Sequence, residues 1–151
     1  MRPSWDDVAI GCARLIAERS TCLRLHTAAV ICTQDNRIVA TGYNGSLPGQ
    51  PHCDDILYMG DDSLPERYRG CEMDGNHCIR TIHAEMNAIL QAAHEGIKLD
   101  GCKLYALHMP CAPCANAIVQ AGIVEVIVAN PYSTDRATQR LDASGVLIRT
   151  L

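Results

Sequence analysis

At 151 residues, with a hydrophobic fraction of 48% and a formal net charge of −4, the chain has the size and apolar content of a single domain, residues 1–151, with a proper core. Its Lys and Arg residues form no run, which argues against a nucleic-acid partner, because a phosphate backbone demands clustered cations. No apolar stretch approaches the roughly 20 residues of a membrane span and no basic leader opens the chain, so the expectation is a cytoplasmic protein with no membrane partner.

Ser4 and Asp7 read as a capping box entering a first helix over residues 5–19, with Asp in place of the longer Glu. Residues 29–33 and 37–41, split by Gln34-Asp35-Asn36, predict an antiparallel hairpin. Residues 42–81 then run without periodicity, rich in Gly, Pro, Asp and Cys. So long an irregular segment is unusual in a compact domain unless it is functional or clamped. An Ala-rich run over 84–93, stopped by Gly96, predicts a buried helix. After it come a strand at 103–107, a helix from Cys111 through Ala121 to Gly122, and a strand at 124–128. A short helix at 135–143 and a last strand at 146–149 complete the pattern. Such alternation predicts an α/β fold, a three-layer α/β/α sandwich on a mixed sheet of about five strands. The site should then lie at helix N-termini along the sheet edge.

The chemistry is concentrated in His83-Ala84-Glu85 and Pro110-Cys111-Ala112-Pro113-Cys114. Two cysteines enclosing two residues can present both sulfurs to one tetrahedral ion; alone, the pair also suits a redox dithiol or half of a zinc knuckle. His83 adds a third ligand, and one imidazole with two thiolates leaves a fourth position open for water, as in a catalytic zinc site. All three ligands fall at predicted helix N-termini, whose partial positive charge favours thiolate over thiol. Glu85 then has the position of a proton shuttle, although a first-turn carboxylate also suits the helix dipole.

These two motifs match the H-x-E and P-C-x-x-C signature of zinc-dependent nucleobase deaminases. With Ser4-Trp5, Arg19-Ser20-Thr21-Cys22, Gly42-Tyr43-Asn44-Gly45, His52-Cys53, Gly70-Cys71 and the run from His77 to Ala88, nearly the whole chain resembles the deoxycytidylate (dCMP) deaminases of the bacterial and phage type. The resemblance implies a cytidine deaminase-like fold and hydrolysis of dCMP to dUMP and ammonia, with zinc on His83, Cys111 and Cys114 and with Glu85 moving protons. It also implies that backbone N–H groups around Ala84 and Cys111 lie near the base and that Asn44 and Tyr132 line the nucleotide pocket. Pyrimidine triphosphate effectors and a homo-oligomer, commonly a hexamer, belong to the same expectation. Two departures stand near the expected pocket: Thr27-Ala28-Ala29 where relatives usually read Val-Gly-Ala, and Leu107 where they carry Thr.

Nine cysteines without a secretory leader read as metal ligands rather than disulfides. Cys22, Cys53, Cys71 and Cys78 are expected to hold a second, structural zinc that staples the 42–81 segment, with His52 and His77 as possible substitutes. Cys12, Cys32 and Cys102 are expected to be merely buried. Two further readings stay open. A tRNA adenosine deaminase would share the His-Cys-Cys and Glu set but would favour a basic face. A noncatalytic zinc-stabilised module would share the metal and need no carboxylate beside it.

Overall fold

In a computed structural model of the chain, residues 1–56, 63, 65–131 and 135–151 are described. The first helix, α1 (Trp5–Ala17), starts at the capping box: Asp7 N–H donates to Ser4 Oγ at 3.1 Å and Ser4 N–H to the Asp7 carboxylate at 2.9 Å. Asp therefore does close the reciprocal pair. The helix stops two residues short of the predicted 19.

The hairpin is β1 (Ala28–Cys32) with β2 (Ile38–Tyr43), displaced by one or two residues from the predicted limits; its register slips between Ile31 and Cys32, so that Cys32 pairs with Ile38. Within the 42–81 stretch, β3 (Gly45–Ser46) pairs with β6 (Thr81–Ile82), and β4 (Met73–Asp74) pairs with β5 (His77–Cys78). These two-residue strands are too short to leave a periodic signal. The remainder is α2 (Ala84–His94), β7 (Lys103–His108), α3 (Ala112–Gln120), β8 (Glu125–Asn130), α4 (Asp135–Ala143) and β9 (Leu147–Thr150).

The five long strands form one mixed sheet in the order β2-β1-β7-β8-β9, antiparallel across β2-β1-β7 and parallel across β7-β8-β9. Successive side chains of a strand face opposite ways, and both faces here are covered. Ala29, Ile31, Leu104, Ala106, Val126 and Val128 pack under α2, α3 and α4, while Ala28, Val30, Tyr105, Leu107 and Ile127 pack under α1. That is the predicted three-layer sandwich. Burial on both sides explains why these strands read as continuous apolar runs.

Helix α2 lies close to the sheet because its inner stripe, Ala84, Ala88 and Ala92, carries only methyl groups. Gly42 on β2 completes the fit, since a Cβ there would collide with Ala84 O and the Ala88 backbone. Two polar side chains one turn apart fix the register: Asn87 Nδ2 donates to Tyr43 O at 2.9 Å, and Gln91 Oε1 accepts from Thr41 N–H at 3.0 Å. Helices α2, α3 and α4 all end in the same way. Gly96, Gly122 and Gly145 have φ of 69°, 79° and 73°, and the next N–H reaches back to Ala92 O, Ile118 O and Leu141 O.

The two ends of the chain are tied by Asp6. Its carboxylate accepts from buried Tyr105 OH at 2.8 Å and from Arg149 at 2.9 and 3.2 Å, joining α1 to β7 and β9. The hydrogen bond from Arg149 is the main reason that the Asp6 carboxyl lies below the usual carboxylate range, against the effect of partial burial. A group depressed in the folded state adds stability above its unfolded pKa of about 3.9 and loses it as pH falls through the folded value. Asp6→Asn is therefore expected to cost about 1 kcal/mol at pH 7, the ion pair being discounted for partial exposure. Urea melts should show the gap to wild type closing below about pH 4; a gap that stays constant to pH 3 would remove the linkage.

No helix among the described residues is long and apolar enough to cross a membrane.

Candidate active site

His83 takes the N-cap position of α2 and Cys111 that of α3, yet neither side chain makes a capping hydrogen bond. Both turn toward each other. His83 Nδ1 lies 3.3 Å from Cys111 Sγ and 3.5 Å from Cys114 Sγ, the latter on the first turn of α3. In a tetrahedral zinc site with Zn–S of about 2.3 Å and Zn–N of about 2.0–2.1 Å, the S···N edge is about 3.6 Å. The three ligand atoms thus stand at the spacing that a shared ion requires. Pro113 at the start of α3 gives up an N–H that would have no intrahelical partner there.

The thiol pair is electrostatically split: the hydrogen bond from Cys114 draws Cys111 down to about 4, and the same contact pushes Cys114 up. One thiolate therefore forms readily, helped by the positive ends of α2 and α3. His83 is raised, chiefly by its hydrogen bond to Cys111. Glu85, one residue into α2, is only 7% exposed, and burial pushes its carboxyl up. A carboxyl with raised proton affinity beside candidate metal ligands is the type of group that carries protons.

A cavity of about 280 Å³ opens over this cluster, with His83, Ala84, Glu85 and Cys111 on one wall. Its volume is near the lower end of the roughly 300–1,000 Å³ usual for small-ligand sites, which suits one nucleotide. Asn44 is also on the wall, and its amide is fixed from both ends: Oδ1 accepts from Thr27 N–H at 2.9 Å and Nδ2 donates to Leu25 O at 2.6 Å. The cavity lies at the ends of β2, β1 and β7, where α2 and α3 begin, with β2 the edge strand of the sheet. Tyr132, expected in the pocket, lies outside the described residues.

Ala28 and Leu107 do not line the cavity; both point to the opposite face of the sheet and pack under α1. Strand alternation is the reason. Their neighbours Thr27 and His108 face the cavity instead, joined by a hydrogen bond of 3.0 Å between Thr27 Oγ1 and His108 Nδ1, and burial holds the His108 imidazole below its usual range. Counting by two along each strand would have identified both from sequence. Arg24, in an irregular segment, and Tyr68, at the end of a single 3-10 turn (Glu66–Tyr68), are also on the wall and carry no such signal.

Cys22, Cys53, Cys71 and Cys78 are all buried, with their sulfurs within 4.8 Å of one another. Cys53 and Cys78 stand 3.7 Å apart and Cys22 and Cys71 3.9 Å. Four sulfurs about 2.3 Å from a central zinc would have edges of about 3.8 Å, too long for disulfides and right for a closed metal site. All nine cysteines are free. Burial raises Cys71 to about 12, whereas hydrogen bonds from Cys22 and Cys53 hold Cys78 down. His52 and His77 stand outside the cluster: His52 Nδ1 bonds Thr21 Oγ1 at 2.9 Å, and the His77 ring lies 5.4 Å from that of His83 on the cavity side. Cys32 and Cys102 are buried, and Cys12 is half-buried.

Helices opening on a His-Cys-Cys cluster, with a buried Glu beside it at the strand ends of a mixed sheet, define a zinc-dependent deaminase class. Residues 3–130 match the family described as the cytidine and deoxycytidylate deaminase zinc-binding region, and the chain belongs to that family. Its sequence is 43% identical over 148 residues to ComE operon protein 2 of Bacillus subtilis, covering 97% of this chain and 71% of that protein. It is 35% identical over 149 residues to the deoxycytidylate deaminase of Schizosaccharomyces pombe, covering 98% of this chain and 44% of the yeast protein, of which it thus spans less than half. Among solved structures, the dCMP deaminase of cyanophage S-TIM5 in complex with dCMP and dUMP is similar with a TM-score of 0.78 at 25% identity, over 100% of this chain and 99% of the phage chain.

Proposed function

We propose that the chain hydrolyses the exocyclic amine of dCMP to give dUMP and ammonia. One observation carries this reading: a buried carboxyl, Glu85, set beside the three-ligand cluster of His83, Cys111 and Cys114 on the wall of a nucleotide-sized cavity. Zinc on that cluster would retain one position for water and bring the pKa of that water toward about 7. Glu85 would hold and move the proton between the attacking water and the amine of the base, a role that its burial, by raising its proton affinity, supports. The backbone of Ala84 and Cys111, at two helix N-termini, presents N–H dipoles toward the base. Asn44, locked onto the 25–27 backbone, and Tyr132 are assigned to the nucleotide wall.

The four-cysteine cluster is assigned a second, structural zinc, giving two ions per chain. The names of the yeast and cyanophage relatives support dCMP as the substrate. Family analogy extends the reading to a cytoplasmic homo-oligomer, hexameric in pattern, with pyrimidine triphosphates as effectors. The 5′-phosphate is part of the recognised substrate, so kcat/KM for dCMP should exceed that for deoxycytidine by at least about 100-fold, the scale of a charged contact made to one and missing from the other. Equal values on the two would make this a nucleoside enzyme.

A further inference from the structure

We infer that the four-cysteine cluster is a second reactive site, one that a small hydroperoxide enters through the catalytic cavity and oxidises to two disulfides. The sulfurs fall into two close couples, Cys53 with Cys78 at 3.7 Å and Cys22 with Cys71 at 3.9 Å. Among the described residues, one member of each couple, Cys78 and Cys22, lines the cavity, and the other does not. All four are buried, and buried thiols are inert where no reagent can reach them. Here a cavity of about 280 Å³ brings solvent to one sulfur of each couple, with its partner directly behind.

That arrangement suits attack followed by resolution. The wall sulfur, as thiolate, attacks one peroxide oxygen; the O–O bond breaks, hydroxide leaves and the sulfur becomes a sulfenic acid. The second thiolate then attacks the sulfenic sulfur, so that an S–S bond forms, the S–O bond breaks and another hydroxide leaves. Each couple gives two electrons to one peroxide, and the cluster consumes two. Any zinc held by the four thiolates loses its ligands and is released. Closing each couple to an S–S bond of about 2.05 Å asks roughly 1 Å of travel from each sulfur. Both wall cysteines are tied to other cavity residues: Cys22 N–H donates to Ser20 Oγ at 3.3 Å, Ser20 Oγ donates to Asn44 O at 2.8 Å, and Cys78 O accepts from Thr81 Oγ1 at 3.3 Å. Oxidation therefore pulls on the wall beside Asn44 and His83. On the nucleotide reading above, a bound nucleotide fills the same space and shields the sulfurs, so the site is open to peroxide in the unliganded protein.

The test exposes zinc-loaded wild type to hydrogen peroxide with and without saturating dUMP, whose binding is checked by calorimetry on the same sample. Mass spectrometry reads the disulfide-linked peptides, and a chelating dye reads zinc release. The expected map links Cys53 to Cys78 and Cys22 to Cys71, with one zinc released for each such pair of disulfides, and bound dUMP slows their formation by at least about 10-fold. The map decides rather than the activity, because Cys111 also lines the cavity and its oxidation alone would stop catalysis. Cluster sulfurs that stay reduced while the half-buried Cys12, away from the cavity, is oxidised overturn the assignment, and so does a map that joins Cys22 to Cys78. Weaker slowing by bound dUMP overturns the cavity route, since the peroxide would then be entering by local opening of the segment. If dUMP does not bind, the nucleotide reading fails separately, and labelling by limiting iodoacetamide decides the route. Cys22 and Cys78 labelled at least about 10-fold faster than Cys53 and Cys71 supports entry through the cavity, and a smaller lead overturns it.

Discussion

Replacing Glu85 with Gln is expected to lower kcat on dCMP by about 10³-fold, within the usual range for loss of a general acid and base, while zinc content stays at the wild-type value. Gln keeps the volume and most of the hydrogen-bonding capacity of Glu, so packing beneath α2 is preserved. It removes a carboxyl that burial already disfavours as a charge. The melting temperature should therefore be equal to or above that of wild type, the pattern of a residue kept for activity at a cost in stability. Activity and zinc lost together would instead mean that Glu85 supports the metal site. Unchanged turnover would mean that the general acid and base assignment to Glu85 is wrong.

The second large effect is expected from Cys53→Ser. Cys53 is fully buried, and among the described residues Leu23 and Met73 are the partly buried apolar side chains packed against the four-cysteine cluster, little apolar surface to hold it by packing. Bound metal would then supply most of its stability, as structural zinc does in small closed sites. Zinc should fall from two ions to one per chain, with a drop in melting temperature of about 6–12 °C, the shift that roughly 3 kcal/mol produces in a chain of this size. Limited proteolysis should cut between residues 49 and 81. Cys22 and Cys78 also face the cavity, so activity on dCMP should fall as well. One zinc per chain in fully loaded wild type, or a Cys53→Ser protein as protease-resistant as wild type, would return these cysteines to the status of buried free thiols.

What the sequence made legible follows from which forces act locally. The capping box at Ser4, the small-residue face of α2 and the helix-ending glycines are decided within a few residues, and there the predicted and observed elements coincide to within one or two positions. The sandwich was legible for a related reason: strands covered on both faces must be apolar at every position. In the 42–81 segment the grouping of Cys22, Cys53, Cys71 and Cys78 was legible from the cysteines themselves, whereas the pairings only two residues long were not.

At the site, residue types and spacings pointed to the His83, Glu85, Cys111 and Cys114 group because metal chemistry restricts both. The wall around it was less visible. Ala28 and Leu107 drew attention as departures from the family pattern, yet strand alternation turns them toward α1 and presents Thr27 and His108 to the cavity. Arg24 reaches the wall only through where an irregular backbone carries it, which no local pattern in the chain encodes.

The most direct test of the account is a stoichiometric one: zinc-loaded protein incubated with dCMP, with dUMP and ammonia both quantified. The expected result is one ammonia per dUMP, with activity removed by chelation and restored by zinc. A folded protein carrying zinc on His83, Cys111 and Cys114 that converts neither dCMP nor any other cytosine nucleotide would contradict it.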